Sequence, residues 1–383
     1  MKPKLLPILA IYALGFGFGL TITVLAPAMD AITSDFGITM AEGGLTNTLL
    51  NVGGTAGVLF SLFFSDRFSK KLSYGCSYAL LALSLLLCFT AGSYPLFLFY
   101  LLLMGIGGKI VDTLGNPLVR SCAPGQTSRY LNLLHTVIGV GACASPVLMQ
   151  LLLDAGLSWK LALTLIGVLC LAFFVVCMPQ IPRGTQDEDA SAESGSQDSK
   201  LTLWAILLVC LCVFFYVGHQ VIVNTWAPMY MQTTLGLDGI FASLSTAALW
   251  AGIIAGRLIC ARFARTEHAI PLGIWGDLIG GIVLTLAIIS CNGIVVLIGI
   301  LITGVATGAV LPMCIDLLTS RRPSQAGRLS SCIFLSIVVS SMIFPVIAGA
   351  LADTFGFTSA MLLSALALLP AALAALLARP LFK

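Results

Sequence analysis

Charge is scarce in this sequence. Asp, Glu, Lys and Arg together make up 9% of 383 residues, where a soluble protein of that length carries roughly a quarter. So little charge excludes a chain whose whole surface is solvated by water. Histidine is scarcer still, with three residues, and neither HExxH nor GxSxG occurs. An intramembrane metalloprotease or serine hydrolase would lack its signature here, and no stretch reads as a channel filter. The 12 cysteines fall mostly inside apolar runs without ligand spacing and read as small buried hydrophobes. Neither a metal nor a cofactor is expected, and the chain does not read as an enzyme. Extended polar sequence is confined to "RGTQDEDASAESGSQDSK", positions 183–200, too poor in apolar surface to pack.

What the chain has instead is apolar length. Hydrophobic residues reach 58% and the mean hydropathy is +1.04. A helix crossing a bilayer needs about 20 apolar residues, and about twelve such runs can be separated. They are expected near 5–28, 43–64, 73–92, 96–118, 130–153 and 160–179, then near 201–226, 239–260, 269–290, 293–317, 329–351 and 357–378. The runs are too long and too little alternating for membrane strands. The expected fold is all-α: a polytopic membrane protein of 12 transmembrane helices in two pseudo-symmetric six-helix bundles, 1–180 and 201–383. A disordered cytoplasmic linker, 181–200, joins them.

Basic residues orient the chain. With the N-terminus inside, Lys2, Lys4, Arg67, Lys70, Lys71, Arg120, Arg129, Arg183, Lys200, Arg257, Arg262, Arg265, Arg321, Arg322, Arg328, Arg379 and Lys383 face the cytoplasm, and only Lys160 lies outside. That distribution satisfies the positive-inside rule with both termini cytoplasmic. The first apolar run reads as span 1 rather than a cleavable signal. The net charge of +3 reflects the inner-face bias and gives no reason to expect nucleic acid. The expected setting is a bacterial inner membrane, and the expected state a monomer.

Ionisable residues within the spans point to function. Lys109, Asp112 and Asn116 stand at i, i+3 and i+7, on one face of span 4. A charge at mid-bilayer costs about 2.5–3.5 kcal/mol on insertion scales, so that face is expected to look toward protein or a water-filled cavity. The competing reading is an i,i+3 ion pair that only fixes packing. Span 5 repeats the spacing with Asn132, His135 and Gly139, where His135 is either interfacial or a buried titrating partner. Span 7 carries Tyr216, Gln220 and Asn224 at i, i+4 and i+8, with His219 beside them. Trp226 and Trp250 add indoles, and Asp277 is a lone acid in span 9. Amides, hydroxyls and indoles suit a polyhydroxylated or zwitterionic small solute, while Lys109 leaves an anion possible.

The two halves echo each other. "SDRFSKK" after span 2 and "GRLICARFARTEH" after span 8 are both short and basic. Parallel repeats of this kind are a transporter signature. GxxxG pairs at Gly15/Gly19, Gly53/Gly57, Gly252/Gly256, Gly276/Gly280 and Gly304/Gly308 let helix backbones approach closely.

On these residues the chain resembles the major facilitator superfamily. "SDRFSKK" is similar to the loop motif after span 2, keeping Asp66 and Arg67, with Leu62 and Ser69 where the motif prefers glycine. "GIGGKIVDTLGNPLV", "LNLLHTVIGVGACASP", "FFYVGHQVIVNTWAPMY" and "ALWAGIIAGRL" resemble the fucose/glucose:proton symporter-like branch. His219 stands where that branch often has an acid. The resemblance implies alternating-access transport of a sugar-like solute with a proton, sodium being the other candidate ion. Lys109, Asn116, Asn132, Tyr216, His219, Gln220, Asn224, Trp226 and Trp250 would then serve the substrate. Asp112, His135 and Asp277 would serve the proton, and Asp66, Arg67 and Arg257 the loop motifs. An exporter or exchanger of organic anions or drugs, with Lys109 as counter-charge, is the alternative.

Overall fold

The computed structural model describes residues 4–64, 69–123, 127–181, 202–263, 269–322 and 326–382. Among these there is no strand. The α-helices are α1 (Leu5–Ile22), α2 (Met29–Phe36), α3 (Met40–Phe64), α4 (Lys70–Leu87), α5 (Tyr94–Cys122), α6 (Thr127–Asp154) and α7 (Trp159–Cys177). There follow α8 (Leu203–Thr233), α9 (Gly239–Phe263), α10 (Ala269–Ile289), α11 (Gly293–Thr307), α12 (Val310–Arg321), α13 (Ala326–Phe355) and α14 (Phe357–Ala378).

The helices outnumber the twelve expected spans because two spans are broken. The first gives α1, a 3₁₀ turn at Ala26–Ala28, and α2, while the tenth gives α11 and α12 with a turn at Gly308 and Ala309. Proline explains the positions. Pro27 lies in the 3₁₀ turn and Pro312 in the first turn of α12, where a missing N–H costs least. By contrast Pro117, Pro146, Pro228, Pro345 and Pro370 sit inside helices that continue past them.

Among the described residues, eleven stretches are long and apolar enough to cross a membrane. Helix α3 covers the second expected span. Its 25 residues have the length, and Thr46, Asn47, Thr48, Asn51 and Thr55 give its first half a polar stripe. A helix with such a stripe keeps it off the lipid.

The chain divides into two compact units: Met1–Ile38 with Leu45–Ala190, and Thr39–Gly44 with Ser191–Lys383. Positions 182–201, most of the expected linker, lie outside the described residues. In the first unit α1 packs on α6, and α4 on α5 and α7. In the second, α8 lies among α14, α13 and α9, its Val213, Tyr216, Val223 and Tyr230 fully buried.

Glycines set the repeat register. A Cβ at Gly53 would stand 2.0 Å from the Leu102 carbonyl oxygen, at Gly57 2.6 Å from that of Ile106, and at Gly105 2.1 Å from that of Leu50. In the second unit Gly252 meets Leu301, Gly256 meets Val305 and Gly304 meets Leu249 in the same way, at 2.3, 2.3 and 2.6 Å. Every one of these residues stands 199 positions after its counterpart (252 against 53, 301 against 102). The contacts α3–α5 and α9–α11 are thus the same backbone-to-backbone approach, made twice, and only glycine leaves room for it.

Candidate functional site

Among the described residues each unit carries a half-buried polar cluster. In the first, Nζ of Lys109 donates to Oδ2 of Asp112 at 3.2 Å, with the side chains 41% and 30% exposed. The next residue of the face, Asn116, donates through Nδ2 to the main-chain oxygen of Asp112 at 3.1 Å. The lysine stem passes over α3, where a Cβ at Gly54 would come within 2.8 Å of its Cγ. Along α3, Asn51 Nδ2 donates to the Asn47 oxygen at 2.9 Å, and Thr55 Oγ1 to the Asn51 oxygen at 2.8 Å. These half-buried α3 residues were missed by inspection of charge alone. The signal that could have found them is the polar stripe of their span.

In the second unit the indole of Trp250 donates through Nε1 to Oδ1 of Asn224 at 3.1 Å. This joins α9 to α8, and Gln220 lies one turn before Asn224, half-buried like both of them. The other sequence-predicted groups of α8 are deeper. Tyr216 is fully buried with its hydroxyl unpartnered. Trp226 is fully buried, and its Nε1 donates to the Pro345 oxygen at 3.0 Å. His219 is 1% exposed, with Nδ1 3.2 Å from the Ser364 oxygen of α14. That contact requires the proton on Nδ1 and leaves Nε2 as a buried acceptor without a partner.

The remaining residues scatter. Asp277 is fully buried on α10 with Cys212 at 3.7 Å. Arg257 Nε donates to the Gly308 oxygen at 3.2 Å, satisfying a carbonyl freed by the break in span 10. His135 is exposed on α6. Asp66 and Arg67 lie outside the described residues, and so does the side chain of Asn132. Among the described residues no group of three or more His, Cys, Asp or Glu is placed to hold a metal.

Chemically, the first cluster offers one cation, one anion and amides, and the second an indole edge-bonded to an amide. Both can form hydrogen bonds to a polar solute, and neither brings a nucleophile with its base.

Comparison with known proteins agrees with that chemistry. A putative glucose/galactose transporter of Helicobacter pylori is 25% identical over 288 residues, covering 72% of this chain and 70% of the relative. The inner membrane transport protein YdiN of Escherichia coli is 22% identical, covering 92% and 84%. Among solved structures, a bacterial homologue of the human lysosomal transporter Spinster superposes with a TM-score of 0.80 at 14% identity, over 98% of this chain and 97% of that one. A D-xylose–proton symporter gives 0.78 at 18% identity, over 98% and 97%. The family model described as Major Facilitator Superfamily matches residues 11–291, and with eleven membrane-length apolar stretches among its described residues this integral membrane protein belongs to that superfamily of transporters.

Proposed function

We propose that the protein carries a small polar solute, a sugar or sugar-like molecule, across the membrane by alternating access of its two units, driven by protons. The observation that carries this reading is the Lys109–Asp112 pair with Asn116 on one half-buried face of α5. A charged pair within an apolar helix is expensive and points to a solute or ion route. Supporting it are the amides Asn47 and Asn51 on α3, the Trp250–Asn224 pair, and relatives whose names specify glucose and galactose. The matching D-xylose structure is named as a proton symporter.

In this reading Asp112 takes up the coupling proton. Ionised, it accepts from Lys109. Protonated, it gives up most of that attraction and frees Lys109 to meet the solute. The free energy of that exchange biases which state is populated. The membrane is the bacterial inner membrane, with both termini cytoplasmic. A second reading rests on Lys109, whose amine is accessible enough to pair with an organic anion.

Reconstitution into proteoliposomes tests both. Labelled D-glucose or D-galactose should accumulate under a proton gradient and fail to do so after a protonophore. Asp112→Asn should retain counterflow exchange but lose accumulation. If that variant accumulates sugar as wild type does, Asp112 is not the coupling acid. Lys109→Gln should spare neutral sugars. If it abolishes transport only of organic anions, the second reading replaces the first.

A further inference from the structure

The second unit buries an acid that the proposed solute chemistry leaves unused. Asp277 is fully enclosed, its Oδ2 accepting from the Cys212 thiol at 3.7 Å while Oδ1 has no hydrogen-bond partner. One turn further along α8, the Tyr216 hydroxyl is also enclosed and unpartnered. That hydroxyl has both Asp277 and the Arg257 guanidinium as charged neighbours. Arg257 in turn holds the Gly308 carbonyl at the break between α11 and α12.

The surroundings of Asp277 contain few other ionisable groups. Helix α8 brings Cys210, Cys212, Tyr216 and His219. Helix α12 brings Cys314, which lies beside Cys212, and further along Asp316 and Arg321. Helices α11 and α14, both packed on α10, have no Asp, Glu, His, Lys, Arg, Cys or Tyr at all. The repeat register makes the acid a property of one half, because the position 199 residues before it is Tyr78.

We infer that Asp277 is a proton-binding site of the second unit, read out by Arg257 at the break in span 10. A proton added to Oδ1 forms an O–H bond and cancels the carboxylate charge, while Oδ2 keeps the thiol of Cys212. A desolvated carboxylate without a cation is unstable, and the cation that shares Tyr216 with it is Arg257. When the proton leaves, the guanidinium is drawn toward Tyr216 and Asp277 and releases the Gly308 carbonyl. Proton occupancy therefore sets whether Arg257 of α9 holds the Gly308 carbonyl at the break in span 10. The inference rests on the transporter reading but moves part of the proton chemistry away from Asp112. Its first test needs no solute.

Infrared spectra of the purified protein at neutral pH should show the C=O stretch of a protonated, weakly bonded carboxylic acid. Asp277→Asn should remove that band, Cys212→Ser should shift it, and Asp112→Asn should leave it in place. A wild-type spectrum without the band, or a band that persists in Asp277→Asn, overturns the inference. In proteoliposomes, Asp277→Asn and Arg257→Gln should each lose gradient-driven accumulation of D-glucose. Undiminished accumulation in Asp277→Asn would reduce the site to a structural one and defeat the readout. Should wild type not carry D-glucose, the sugar reading fails by itself and the infrared result still decides the proton site.

Discussion

The indole Nε1 of Trp250 is hydrogen-bonded to the side-chain oxygen of Asn224, 26 residues earlier on the neighbouring helix, at 3.1 Å. Both residues are half-buried, and the bond fixes the large indole ring of α9 against α8. In the transport we propose, an indole held this way would offer its face to the C–H side of a sugar ring. The repeat places Asn51 at the position equivalent to Trp250 in the first unit, so the two halves put different chemistry at matching points of α3 and α9.

If Asn224 works by holding the ring still, its removal should weaken solute binding more than it slows transport. A neutral hydrogen bond contributes about 0.5–1.5 kcal/mol. Asn224→Leu and Trp250→Phe should each raise the half-saturating D-galactose concentration by about two- to tenfold, converted from that range. Since they break the same bond, the double variant should cost less than the two single effects combined. Fully additive effects in initial-rate uptake would show that the two side chains act separately.

A second prediction concerns the doubled backbone contact. At Gly252 an added Cβ would stand 2.3 Å from the Leu301 oxygen, a backbone atom that cannot turn away. Gly252→Val and its repeat counterpart Gly53→Val should both part their helices and lower the thermal transition of the detergent-purified protein. Overpacking of this kind costs about 1–3 kcal/mol. Gly92→Val is the control, since nothing lies within 4 Å of a Cβ there and its φ is ordinary. A melting temperature unchanged at position 252 would refute the close approach.

Local periodicity explains which parts of this architecture were legible in the sequence. Lys109, Asp112 and Asn116 share a face because helical spacing alone decides it, and the GxxxG pairs show in the same way. The partners of Gly53 and Gly252 did not show, since the contacts are with backbone atoms of helices some 50 residues away in sequence. His219 looked like one more polar group beside Gln220 and Asn224, yet one step around the helix takes it under Ser364. Asp277 read as a lone acid because its Cys212 partner is 65 positions distant and ranked among the small hydrophobes. The break in span 10 was hidden because Gly308 and Ala309 sit in an unbroken apolar run, with Pro312 the local clue.

The start of α3 supports a last prediction. Thr39 and Glu42 form a capping box: Glu42 Oε2 accepts from the Thr39 amide at 2.8 Å, and Thr39 Oγ1 accepts from the Glu42 amide at 3.1 Å. That leaves the first two helical amides, Met40 and Ala41, and each donates at 2.9 Å to one oxygen of Asp353 near the end of α13. Every amide that the first turn would leave open is thereby satisfied, and the carboxylate charge faces the positive end of the helix. Asp353→Ala should leave the capping box in place while opening both amides to water. Loss of a helix cap costs about 0.5–2 kcal/mol. Hydrogen–deuterium exchange should therefore speed up in a peptide covering Met40 and Ala41, with little change along the rest of α3. Asp353→Asn keeps one acceptor oxygen and should give an intermediate rate. If exchange over Met40 and Ala41 is the same in Asp353→Ala as in wild type, the α13 carboxylate does not cap α3.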